Sequence, residues 1–327
     1  MINSSRRSQN LWLVCLALAL LVCSLIVLFS GLSSPFDSVV DQQIMLHIRL
    51  PMMLTAMSVG AALSVSSALL QVLLRNPLAD PGIIGISSGA SLFAAIYLLA
   101  GGVWGWTGMQ YGLPLFCFIG ALLSTLLIYM LARRMASLNG SSVILAGIGV
   151  STIAGAIIAW LYFFSDAQAL RNLTFWLMGS LMQTDLRLIS VSAPLVLLLV
   201  IDSFVQSKRL NWLYFGHVSA RLAGLDVSRF NRRILLSSAL LVGIAVSLAG
   251  SIAFVGLLVP HLLRNFCGHD NRFIIPASAL GGALLLMLVV ILSKSFGGIA
   301  VPVSMLTATL GGPVFLYSMS RIGRQAR

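Results

Sequence analysis

The sequence contains no glutamate, only two lysines (Lys208 and Lys294) and only eight acidic residues, all aspartate. Charged residues of every kind make up 9% of its 327 positions. Each scarcity removes a class of chemistry. Neither lysine follows a glycine-rich turn, so no G-x-x-x-x-G-K-[ST] loop exists to cradle nucleotide phosphates, and the chain cannot hydrolyse ATP alone. The histidines, His47, His217, His261 and His269, are scattered and form no H-E-x-x-H pair, so no metal site is expected. Asp166 and Asp202 lie near the ends of apolar stretches. With no ionisable residue evident at mid-membrane, a proton or sodium relay is not expected. No paired Asp or Ser/His constellation lies at membrane depth, which argues against an intramembrane protease. The four cysteines (Cys15, Cys23, Cys117, Cys267) lie in apolar stretches without a C-x-x-C pair, and read as small buried side chains. No catalytic residue is expected, and the chain is not read as an enzyme.

What is abundant is apolar. Hydrophobic residues make up 59% of the chain, more than a water-soluble globule of this size can cover with polar surface. The composition predicts an all-α, polytopic membrane protein forming one transmembrane domain over residues 1–327. Ten apolar segments follow in order: 11–30, 50–74, 86–101, 112–132, 142–164, 186–206, 232–250, a shorter 252–267 containing Pro260, 273–293 and 302–320. The first, Leu11 to Phe29, reaches roughly 28 Å as a helix, close to the hydrocarbon thickness. Arg6 and Arg7 precede it, as they would in a secretory signal. The stretch is longer than a usual signal core and no A-x-A-like site follows, so it reads as a retained first helix.

The net charge of +12 would suggest nucleic acid in a soluble protein. Here no basic and aromatic stripe lies on a polar domain, and no nucleic-acid partner is expected. Counting Lys and Arg by side explains the charge better. Sixteen of the twenty, Arg264 among them, fall on the amino-terminal side, and Arg49, Arg171, Arg187 and Lys294 on the other. The aspartates divide evenly. Such a bias places both termini inside. The largest inner connection, 207–231, and outer connections near 31–49 and 165–185 leave no room for a fused soluble domain.

Three stretches carry the functional argument. In the second segment Gly60, Ser64 and Ala68 recur every four residues, with Ser67 beside them, making a nearly flat face for close helix packing or for lining a pathway. The run Arg75-Asn76-Pro77-Leu78-Ala79-Asp80-Pro81-Gly82 breaks that helix. Gly85, Ser87, Ser88 and Gly89 then open the third segment, as backbone that faces a water-filled cavity or packs tightly. In the inner connection, Val218, Leu222 and Leu225 can form one apolar side of a short helix that Gly224 would stop. Any energy for transport must come from outside the chain. That loop is therefore the best coupling surface, a solvated or lipid-headgroup-binding basic loop being the alternative.

The sequences "IRLP" at 48–51, "VGAALSVSSALLQVLLRNPLADPGIIGISSGAS" at 59–91, "FWLMGSL" at 175–181, "GHVSARLAGLD" at 216–226, "AFVGLLVPHLLR" at 253–264 and "TATLGGPVFL" at 307–316 resemble the FecCD family. These are permease subunits of type II ABC importers for iron–siderophores, haem and vitamin B12. The resemblance implies ten helices per subunit and a second permease subunit, most simply a homodimer, with the pathway between them. It also implies a cytoplasmic ABC ATPase dimer that carries ATP and Mg, a periplasmic substrate-binding protein, and residence in the bacterial inner membrane among its lipids, with no cofactor in this chain.

By the same resemblance, Gly216, His217, Ser219, Ala220, Arg221, Leu222, Gly224 and Leu225 form the ATPase-coupling element, and Arg49 and Lys294 dock the binding protein. Three positions depart from the family pattern. Met52 stands where a second arginine is usual, and Ala300 where an acidic residue is usual. His217 likewise replaces a common acidic residue. The cargo expected is an iron chelate, siderophore or haem; the alternatives are cobalamin and, from another class, an ion-coupled secondary transporter.

Overall fold

The structure, a computed structural model, describes residues 6–30, 38–101, 111–135, 140–182, 186–296 and 301–325. Among these residues all regular structure is helical. The chain runs through α1 (Arg6–Phe29), α2 (Val39–Ile44), a π turn, α3 (Leu50–Leu74), α4 (Pro81–Ile84) and α5 (Ile86–Ala95), which a second π turn prolongs. It continues through α6 (Gly112–Arg134), α7 (Gly140–Phe163), α8 (Ala167–Leu177), α9 (Leu186–Val205), α10 (Ser207–Tyr214) and α11 (His217–Leu222). The last four are α12 (Val227–Ala249), α13 (Val255–Cys267), α14 (Asn271–Lys294) and α15 (Val303–Gln325). A bilayer offers backbone N–H and C=O groups no water, so long apolar segments must close their own hydrogen bonds as helices. Every one of the ten expected segments is such a helix. Seven of the described spans are long and apolar enough to cross a membrane, and three more are shorter and apolar.

The centre of the bundle is α3, buried along most of its length; α1 is exposed over most of its surface. The small residues explain why. A Cβ on Gly60 would collide with the carbonyl of Gly282 in α14, and a Cβ on Gly282 with the carbonyl of Gly60, so the two backbones touch. Hydroxyls then satisfy carbonyls across helix pairs: Ser66 Oγ donates to Ser238 O in α12 at 3.3 Å and Ser64 Oγ to Val255 O in α13 at 3.5 Å. Without a hydrophobic drive between helices in lipid, such packing and hydrogen bonds hold the bundle.

The connections hold more structure than expected. Residues 39–49, read as outer loop, are helical and continue through the π turn into α3; Ser38 caps them, its Oγ accepting from the Asp41 N–H. The outer connection after α7 contains α8, whose N-cap Asp166 accepts from the N–H groups of Gln168 and Ala169. In the inner connection, α12 starts five residues before the expected 232 because Asp226 accepts from the Arg229 N–H. The 13 residues of α13 rise only about 20 Å. Irregular backbone at 250–254, with Gly250 and Phe254 both at positive φ, leads into it, and neighbours bond it: Ser180 N–H donates to Ala249 O at 2.9 Å, and Ser304 Oγ to Ser251 O at 2.7 Å. Ala300 lies outside the described residues.

Gly60→Val or Gly282→Val should force α3 and α14 apart and destabilise the bundle by about 3 kcal/mol or more, at the upper end of overpacking costs. Thermal unfolding in detergent measures this. Leu18→Val, on the exposed face of α1, is the control and should change little.

Candidate functional site

The inner connection folds into a protruding tip. Gly216 (φ 121) turns the chain out of α10, and Gly224 (φ 82) stops α11, both in backbone conformations that L side chains rarely adopt. The stop is a Schellman arrangement: Leu225 N–H donates to Ala220 O at 3.0 Å and Gly224 N–H to Arg221 O at 2.9 Å. Between the glycines, Ala220 is buried and anchors the helix against the bundle. Phe215, Val218 and Leu222 are 76%, 72% and 85% exposed, a degree that no folded interior of this chain accounts for. Leu225 lies past the helix end and is half-buried, so the exposed apolar side consists of Phe215, Val218 and Leu222 rather than the expected trio. Ser219 and Arg221 are exposed beside it.

His217 opens α11 and is half-buried. It lines an open cavity of about 470 Å³ together with Arg75, Gly140 and Ser141. Its Nε2 finds no hydrogen-bond partner among the described residues. Burial, then the positive charges of Arg75 and Arg221, pull its pKa below the ordinary histidine value, so the ring is neutral near pH 7.

At the opposite end the two outer cations converge on one feature. Arg49 Nη1 donates to Leu28 O at 2.9 Å and Ser30 O at 2.7 Å, and Lys294 Nζ to Val27 O at 3.1 Å. These are the carbonyls left over at the carboxyl end of α1, where cations are favoured. Arg49 and Lys294 thus form one positively charged corner that ties α1 to α3 and α14. Met52, in place of the family's second arginine, is 3% exposed. It lines a cavity of about 200 Å³ with Phe175, Leu181, Val289, Pro302 and the irregular backbone around Gly179. A charged side chain there would point into apolar surroundings.

The small-residue face lies inside the subunit. Gly60, Ser64, Ser67 and Ala68 are all buried, against α13 and α14 and the 80–82 turn. Ser67 Oγ donates to Asp80 Oδ1 at 3.4 Å, while Asp80 Oδ2 accepts from the Gly82 N–H at 2.9 Å and so caps α4. Gly85 (φ 92) lies against Gly147 and Ser151 of α7, Ser88 bonds Ser151 at 3.1 Å, and Gly89 lies against Gly120 and Ser124 of α6; Ser87 is half-buried.

Sequence reasoning missed the burial of one residue. Arg264, counted by side with the charges of the amino-terminal face, is 4% exposed and packed between helices. Its position near an apolar segment's end gave no sign of this, because the burial comes from α3, α10 and α14 closing around it.

The profile of the FecCD transport family matches residues 8–321. The vitamin B12 import system permease BtuC of Vibrio cholerae serotype O1 is 39% identical over 326 residues, covering 98% of this chain and 96% of the relative. The hemin transport system permease HmuU of Yersinia pestis is 40% identical over 288 residues, covering 85% and 83%. A solved structure, described as an inward-facing conformation of a metal-chelate type ABC transporter, superposes with a TM-score of 0.87 at 30% identity. It covers 95% of this chain and 99% of that one.

The His217 shift has a sign. The unfolded ring, with a pKa of about 6.5, takes up protons before the folded one, so α11 loses stability as pH falls below that value and is fully held above it. Protection factors of residues 216–225, corrected for the intrinsic pH dependence of exchange, should therefore fall between pH 7 and pH 5, more than in His217→Gln.

Proposed function

The chain belongs to the FecCD transport family, and from that premise we propose that it is the membrane-spanning permease subunit of an ABC importer that carries a bulky metal chelate inward across a bacterial inner membrane. One observation carries the reading: Val218 and Leu222 between Gly216 and Gly224, with Phe215 just before them, stand exposed in basic surroundings on a tip whose angle the two glycines set. Such a tip fits a protein cleft. The sequence holds no nucleotide-binding loop, so the partner that covers the tip is a cytoplasmic ATPase pair bringing its own ATP and Mg²⁺. The positive-inside bias puts this face, and both termini, in the cytoplasm.

Two further surfaces support the assembly. In α7, Ile148, Ile153 and Ile157 are exposed, and Gly149 and Gly155 face open space; in α15, Met305, Leu310 and Val314 are exposed and Gly312 is open. Exposed glycines on apolar helices suit close approach of another helix, and a second copy of this chain is the partner proposed for them. The corner of Arg49 and Lys294 suits acidic residues of a periplasmic binding protein, because capping leaves guanidinium and ammonium protons free to donate.

The cargo rests on chemistry shared by two relatives. Haem and vitamin B12 are both large rings that enclose their metal, so a permease for either needs no metal ligands of its own. Haem and cobalamin are the two to test first, with a ferric siderophore as the third.

The test is uptake into proteoliposomes holding the chain, its ATPase and its binding protein, with haem, cobalamin and a ferric siderophore offered separately. ATP-dependent uptake of one chelate is expected. Uptake driven by an ion gradient without the ATPase would overturn the reading. Leu222→Asp, and Gly224→Val at its strained φ, should each lower ATP-driven uptake at least about tenfold, within the range of measured coupling energies, while leaving membrane insertion intact.

A further inference from the structure

Arg264 presents an unusual arrangement. It is 4% exposed, and neither ion pair among the described residues, Arg229–Asp226 or Arg233–Asp202, includes it. A buried cation without a carboxylate is costly, and apolar residues would pack the same space at no such cost. The guanidinium is held by neutral groups from three other elements. Its Nε donates to Gln71 Oε1 at 3.1 Å, and its Nη2 to Ala68 O at 3.3 Å and Asn271 Oδ1 at 3.0 Å. The Tyr214 ring lies 5.5 Å away.

The network does not end there. Asn271, fully buried, donates through both its backbone N–H and its Nδ2 to Asn211 Oδ1, each at 2.8 Å. Asn211 Nδ2 donates in turn to Asp270 Oδ1 at 2.7 Å. Asn211 and Tyr214 belong to α10, and only Phe215 and Gly216 separate α10 from α11. Arg264 itself sits on α13, Ala68 and Gln71 on α3, and Asn271 opens α14.

We propose that Arg264 is a positioning residue, and that the polar joint it centres makes α10, and with it the exposed tip α11, move as one piece with the inner ends of α3 and α13. Apolar contacts alone let helices slide. A planar fork with fixed donor directions accepts one relative placement and resists intermediate ones. The joint ties the tip to the central helix of the bundle and to α13, whose His261 ring packs 5.7 Å from Phe315 of α15. A push on α11 thereby reaches α3, α13 and α14. That consequence for transport rests on the permease reading above, whereas the mechanical claim does not.

Two measurements keep these apart. In the first, spin labels at Val218→Cys on α11 and Phe266→Cys on α13, both exposed positions, report the distance between tip and core in the purified chain in nanodiscs, with the exposed Cys15 replaced by Ser. The distribution should be narrow with Arg264 present and broaden in Arg264→Gln. Asn211→Ala cuts the joint at its half-buried edge without stranding a buried charge, and should broaden it too even if the first variant folds poorly. Arg264→Lys keeps the charge but not the fork and should recover thermal stability without recovering the narrow distribution. An unchanged distribution in well-folded Asn211→Ala overturns the proposal whatever the cargo is. In the second, the reconstituted transporter is scored for chelate imported per ATP hydrolysed. The ratio should fall about tenfold in Asn211→Ala. Import and hydrolysis falling in equal proportion would mark a purely structural role and overturn it.

Discussion

The touching backbones of α3 and α14 at Gly60 and Gly282 set the geometry on which the rest depends. Once these helices lie that close, the hydroxyls of α3 come within reach of carbonyls on α12 and α13, and α3 is enclosed on every side. Helix packing in lipid lacks the hydrophobic drive of water, so close approach and cross-helix hydrogen bonds must supply it. The serines of this face are therefore structural partners of the glycines.

That enclosure also explains how a charge can be buried at the inner end. Around Arg264, α3, α10 and α14 meet and each contributes an oxygen or a ring, which leaves Nη1 alone without a partner among the described residues. The same principle operates at the outer corner, where Arg49 and Lys294 use carbonyls that α1 leaves unpaired at its end. In both places a cation is stabilised by backbone or amide oxygen in place of a carboxylate, and in both it joins helices distant in sequence.

Lipid made much of the fold legible in the sequence. A segment that must bury its backbone in hydrocarbon has to be long, apolar and nearly uncharged, and each such stretch here is a helix. The residues before α3 and the whole of α8 were harder, because short amphipathic helices at a surface lack that signature. Asp166 before an apolar pattern at Leu170, Leu173 and Trp176 was the available cue for α8. The tip was legible through Gly216 and Gly224, since turn chemistry is local. The roles of Arg49, Lys294 and Arg264 were not, because all their hydrogen-bond partners but Asn271 lie 19 to 267 residues away, and no local pattern encodes them.

The missing glutamate fits this picture. Four of the eight aspartates, Asp80, Asp166, Asp226 and Asp270, are N-caps of α4, α8, α12 and α14. Asp41 lies in the first turn of α2, Asp202 pairs with Arg233, and Asp37 and Asp185 lie outside the described residues. An acidic N-cap needs a short side chain to reach the free N–H groups, which aspartate supplies and glutamate overshoots. In a helical bundle nearly every other N–H is already committed, so an acid has few places to be satisfied except a helix start. Cations are less restricted, because a carbonyl can accept a second bond and every helix end offers several. A chain with almost no polar exterior to spare is thereby left with short acids at helix beginnings, and with cations that bridge the rest. Net positive charge follows from that asymmetry as well as from topology, and the cation set deep among the helices is an arginine, Arg264.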